Sequence, residues 1–191
     1  FPYTTLFRSL LSREFAYTRR KNLLLRDLDE LVNQQLAKML FANPQRIDYY
    51  DRYQEIIDAY NAEQNRATIE KTFMDLMELA SSLDMEQQRY VREGFSSDEE
   101  LSVYDLLFSE NLTKQEIETI KKVSVDLLTK IKQQIAKLDH WTDKQETKAI
   151  VDNLIRNTLW QELPNSYDVS DIQTYQKKIY EYVYMRYPEV A

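Results

Sequence analysis

The chain has 191 residues, 43 % of them hydrophobic and 30 % charged, with a net charge of −7, one glycine, one histidine and no cysteine. One glycine cannot supply a P-loop, a dinucleotide-binding turn, a nucleophile elbow or an EF-hand loop, each of which needs glycine where φ is positive or the backbone presses on a ligand. The missing cysteines exclude Cys/His zinc sites and a disulfide scaffold, leaving a reducing cytoplasm as the default setting, and no apolar run approaches the roughly 18 residues that span a membrane.

The opening nonapeptide FPYTTLFRS lacks an initiator methionine and resembles the in-frame translation of a short-read sequencing adapter. Residues 1–9 are therefore expected to be a non-native scar, followed by a C-terminal fragment of a longer protein. Residues 12–41 place Leu23, Leu24, Leu28, Leu31, Leu36 and Leu40 near helical spacing among good helix formers. Asn43-Pro44 reads as the cap and first-turn proline of a second helix running to about residue 62, with Ile47, Tyr50, Ile56, Ile57 and Tyr60 facing inward. A third helix is predicted over 68–92, through Ile69, Phe73, Met74, Leu76, Met77, Leu79 and Leu83, with Gly94 placed where a left-handed cap is wanted.

Four capping-box patterns divide the second half: Ser97…Glu100, Thr113…Glu116, Thr142…Gln145 and Ser170…Gln173. The prediction is an all-α chain of about seven helices in two packed lobes, residues 10–95 and 96–191, with no sheet and a hinge at the turn 94–97. Tyr180, Tyr182 and Tyr184 alternate at period two, as in a strand, but the spacing of Ile172, Ile179 and Val183 favours helix.

Charge is uneven. Residues 1–42 hold seven Lys/Arg against four Asp/Glu, a local +3, and the cluster Arg19, Arg20, Lys21 with Arg26 could meet phosphates or an acidic partner, although a solvated helix face is the plainer account. So acidic a chain does not resemble a nucleic-acid groove. Asp143, Glu146 and Lys148 imitate nuclease spacing but fall at a helix start, where acids favour the dipole, rather than on a strand. Asp48 and Asp51 read as a solvated rim, His140 as a structural histidine at a helix junction, and Trp141 and Trp160 as large buried anchors. No catalytic, cofactor-binding or metal residue is expected. In the last helix Ile172, Tyr175, Ile179 and Val183 form one inward stripe, and Tyr180, Tyr184 and Tyr187 a second, rotated from the first by about 60–100°. That second stripe is a candidate partner contact, with a broad core face as the alternative.

The stretches TRRKNLLLRDLDELV (18–32), NPQRIDYYDRYQEIIDAYN (43–61), TIEKTFMDLMELASSLDMEQQRYVREG (68–94) and ELSVYDLL (100–107) resemble the C-terminal helical region of type I restriction enzyme R subunits. So do LTKQEIETIKKVSVDLL (112–128), WTDKQETKAIVDNLI (141–155), LWQELPNSY (159–167) and YVYMRYP (182–188). Each is ordinary helical sequence alone; eight in order over residues 17–190 are specific. Lys148 departs from the arginine usual in the family. The resemblance implies a subunit of an ATP-dependent DNA translocase and endonuclease, whose nuclease and helicase-like motor domains lie upstream and use ATP and Mg2+. It implies methyltransferase and specificity subunits as partners, DNA met only through the whole complex, and a structural role for this region: packing on the motor lobes and docking to the methyltransferase core. No motif of the family's nuclease or ATPase residues occurs here. A stand-alone helical adaptor binding a partner helix is the alternative.

Overall fold

The computed structural model describes residues 5–17, 20–63 and 65–188. Among these residues the fold is all-α, with nine helices and no strand. In order they are α1 (Thr5–Tyr17), α2 (Lys21–Ala42), a 3-10 turn (Pro44–Arg46), α3 (Ile47–Ala62), α4 (Arg66–Gln87), α5 (Arg89–Arg92), α6 (Asp98–Leu107), α7 (Lys114–Ile135), α8 (Gln145–Glu162) and α9 (Val169–Arg186). The expected seven become nine for two local reasons. The first long helix is two, α1 and α2, and α1 already begins at Thr5, inside the segment set aside as a scar. The third is interrupted at Gln88, whose N–H turns back to the Met85 carbonyl, leaving α5 as one separate turn. Gly94 follows with φ of +84°, the left-handed conformation expected of it. Contacts within the chain divide it into two compact units, the first ending at Gly94 and the second beginning at Phe95.

In the first unit α2 and α4 supply the core. Leu25, Leu28, Val32, Leu36 and Met39 meet Phe73, Leu76, Met77, Leu79, Ala80 and Leu83, and Phe15 of α1 stacks on Phe73 with ring centroids 3.8 Å apart. Helix α3 buries only Tyr53 fully. Ile47 and Tyr50, expected to face inward, are exposed, as are Leu23, Leu31 and Met74 of the apolar repeats, because each helix turns only one stripe toward its neighbours and these lie beyond its edge. Beneath the 3-10 turn, Glu86 accepts from the buried Arg46 Nε at 3.0 Å and from Arg89 Nε at 2.8 Å.

The second unit is built around α6, where Leu101, Ser102, Val103, Tyr104, Leu106 and Leu107 are all buried. A helix apolar on nearly every side must be enclosed, and α7 and α9 both pack on it. Its buried Ser102 donates to the Asp98 carbonyl one turn back, as Ser124 does to Ile120 on α7. Tyr167, in the loop before α9, donates to the Leu107 carbonyl at 2.7 Å and ties that loop to the end of α6.

Two of the four capping patterns cap helices. Thr113 and Glu116 form the full reciprocal box of α7. Ser97 accepts from the Glu100 N–H, while the Glu100 carboxylate takes the Ser96 N–H, so that box is shifted by one residue on one side. At α8 the N-cap is Lys144, not Thr142. Burial of Trp141 holds the chain in a turn through residue 143, and Thr147 reaches back to the Trp141 and Lys144 carbonyls. At α9 Asp168 and Asp171 make the box two residues before Ser170; aspartate caps as well as serine, and the overlapping DVSD run holds both options.

Candidate docking surface

The surface is built from α8, α9 and the turn between α7 and α8. Trp141 is 1 % exposed and its indole Nε1 donates to the Tyr187 carbonyl at 2.6 Å, joining that turn to the end of α9. On this anchor stand two tyrosines of α9. The Tyr180 and Tyr184 rings meet Trp141 edge-on, with centroids 6.2 and 5.7 Å away, and lie 6.2 Å from each other. Edge-to-face aromatic pairs of this kind hold rings in fixed orientation. Lys148 of α8 places its Nζ 5.8 Å from the centre of the Tyr184 ring. Together Lys148, Tyr180, Glu181, Tyr184 and Met185 line an open groove of about 410 Å³. Tyr184 is 39 % and Met185 63 % exposed, so aromatic and thioether surface faces outward beside one cation and one carboxylate.

The expected stripe is therefore divided. Tyr180 and Tyr184 share the groove; Tyr187 does not. It ends α9 with φ of −126°, leaves the helical path, and packs its ring against Tyr182 under Lys132 Nζ, where burial pushes its hydroxyl pKa far above the ordinary tyrosine value. Tyr182, the middle member of the period-two run, enters the core, and burial raises its hydroxyl as well. The inward stripe holds for Ile172, Ile179 and Val183, which are buried; Tyr175 is half-buried against Tyr167.

Of the basic cluster, Lys21 is engaged within the fold: it pairs with Glu70 at 2.5 Å and lies 5.1 Å from the Phe15 ring. Arg20 is the exposed residue before α2, Arg26 points toward Asp27, and Arg19 lies outside the described residues. Trp160 is not the buried anchor expected of it: it is 50 % exposed, on the face of α8 opposite Val151 and Ile155. His140 is exposed rather than packed, with φ of +45°. Asp48, Asp51, Asp143 and Glu146 are exposed, and among the described residues no group of three or more His, Asp or Glu is placed to hold a metal ion. No helix of the described residues is long and apolar enough to cross a membrane. Lys148, Glu181 and Met185 were not legible as site residues; Met185 adjoins Tyr184, but Lys148 joins only because α8 packs on α9.

Residues 6–187 match the family described as type I restriction enzyme HindI endonuclease subunit-like, C-terminal. No curated protein and no solved structure matches the chain.

Proposed function

The chain belongs to the C-terminal family of type I restriction enzyme endonuclease subunits, and on that premise we propose that it is the assembly module of such a subunit. In this reading the module performs no chemistry. ATP and Mg2+ are used by helicase-like motor and nuclease domains elsewhere in the subunit, on which part of its surface packs. DNA is met only through the complex with methyltransferase and specificity subunits, in the cytoplasm. The groove on α8 and α9 is the surface that docks to the methyltransferase core.

The observation behind this assignment is the half-exposed Tyr184 and Met185 beside Lys148, mounted on a fully buried tryptophan. Aromatics and methionine are enriched at protein interfaces, and a few well-supported aromatic side chains tend to carry most of the binding free energy. A rigid base matters because side chains already held in place lose less entropy on binding.

The test replaces Tyr180 and Tyr184 by Ser in the endonuclease subunit and follows co-purification with the methyltransferase core, alongside thermal melting of the variant. Recovery of the complex is expected to fall by at least tenfold, about 1.4 kcal/mol, at subunit concentrations where the variant remains folded. Undiminished recovery per folded molecule would remove the groove from the interface.

A further inference from the structure

Trp141 is the base of the groove, and it is held at two places. The rings of Tyr180 and Tyr184 meet it edge-on, and its one polar side-chain atom, the indole Nε1, donates to the Tyr187 carbonyl at 2.6 Å. An indole N–H buried without an acceptor is costly, so the place of that carbonyl decides whether Trp141 stays enclosed at 1 % exposure. The carbonyl is in turn placed by its own residue's ring. Tyr187 keeps one helical hydrogen bond, from its N–H to the Val183 carbonyl at 2.9 Å, and then leaves the helical path with φ of −126° and ψ of 52°. Its ring packs nearly perpendicular to that of Tyr182, at 82° with centroids 6.3 Å apart, and Lys132 Nζ lies 5.3 Å from its centre. Lys132 of α7 is itself paired with Glu99 of α6. The ring thus ties the end of α9 back to its own helix and to α7.

That tie carries a built-in opposition. Tyr182 and Tyr187 both bury their hydroxyl oxygens, and among the described residues neither oxygen has a hydrogen-bond partner. Buried hydroxyls without partners disfavour the state that buries them. A chain end closed against such a cost opens in local fluctuations before the unit around it unfolds. We propose that Tyr187 is a positioning residue for the docking groove: its ring closes the end of α9 as a strap, its carbonyl fixes Trp141, and Trp141 fixes the Tyr180 and Tyr184 rings. With the strap open the indole N–H loses its acceptor and the two groove tyrosines lose their base. The inference rests on the docking reading of the groove, and goes beyond it by making docking depend on a residue outside the groove.

The test uses the 191-residue chain carrying Trp160→Phe, which leaves Trp141 as its one tryptophan. Hydrogen exchange of the indole N–H reports the strap, and titration with the purified methyltransferase core reports docking. At temperatures where the variant remains folded, Tyr187→Ala is expected to speed indole exchange at least tenfold and to weaken association with the core at least tenfold. Tyr187→Phe keeps the ring and removes an unpartnered hydroxyl, so it should exchange no faster than the parent and bind as tightly. An indole as protected in Tyr187→Ala as in the parent overturns the proposal, and so does a Tyr187→Phe variant that behaves like Tyr187→Ala. Where the indole is released and the core is bound undiminished, Tyr184→Ser/Met185→Ser decides which statement fails. Weakened binding by that double variant keeps the groove as the interface and overturns the strap alone; undiminished binding removes both. Should Tyr187→Ala fail to fold, exchange in the parent decides: the indole N–H is expected to exchange at least tenfold faster than the backbone amides around the buried Leu127 of α7. Exchange no faster than those amides overturns the proposal.

Discussion

His140 occupies the turn between α7 and α8 with φ of +45°, in the left-handed region where a Cβ crowds the following carbonyl. That conformation costs an L-residue about 1–2 kcal/mol. Glycine would relieve it while losing about 0.5–1 kcal/mol through a freer unfolded chain. His140→Gly is therefore expected to stabilise the chain slightly, by about 0.5–1 kcal/mol in urea denaturation; a loss would show that the imidazole contributes more than the strain removes. Glu86 is the opposite case. It is the shared acceptor of Arg46 and Arg89, and Arg46 is buried. Removing one partner of a buried pair strands the other charge, at a cost of about 3–5 kcal/mol. Glu86→Gln keeps the shape but loses the charge, so a loss near the lower end, about 3 kcal/mol, is expected in the same measurement.

Among the elements, the helix starts separate pattern from structure most cleanly. Thr113 and Thr142 stand in the same S/T-x-x-E/Q pattern, yet only Thr113 caps a helix. Thr113→Ala should cost about 1 kcal/mol and Thr142→Ala less than about 0.5. The Thr113 effect should also depend on pH. Hydrogen bonds from the Thr113 hydroxyl and N–H lower the Glu116 carboxyl below its ordinary value of 4.5. A lowered folded-state value means the contribution is fully present above 4.5 and fades as pH falls through the folded value. The difference between parent and Thr113→Ala should therefore narrow in acid below pH 4.5.

Helix content was legible because apolar residues recur at 3.6-residue spacing and glycine is almost absent. Which side of each helix would be covered was less so. Leu31 and Met74 fit the periodicity but fall outside the stripe that neighbours cover, and Trp160, the kind of residue usually enclosed, lies on an open face. Tyr180 and Tyr184 were legible as a pair by their i, i+4 spacing. Tyr187 departs from that stripe because α9 ends at Arg186, one residue before it. The groove itself needs α8 beside α9, a pairing that is not written in local spacing.

At the scale of the whole molecule, each of the two compact units encloses its own apolar residues, and the family match runs through both. The assembly role proposed for it requires a preformed surface rather than movement through a reaction. The most direct measurement is an equilibrium titration of the 191-residue chain with the purified methyltransferase core of a type I enzyme, comparing the parent with a Tyr184→Ser/Met185→Ser double variant. Tyr184 is 39 % and Met185 63 % exposed, and neither belongs to the buried core, so the variant should melt within about 5 °C of the parent. The account predicts saturable binding by the parent and an affinity at least tenfold weaker, about 1.4 kcal/mol, in the variant. Equal affinity of the two, or no association of the parent at concentrations of about 10 μM, would contradict it.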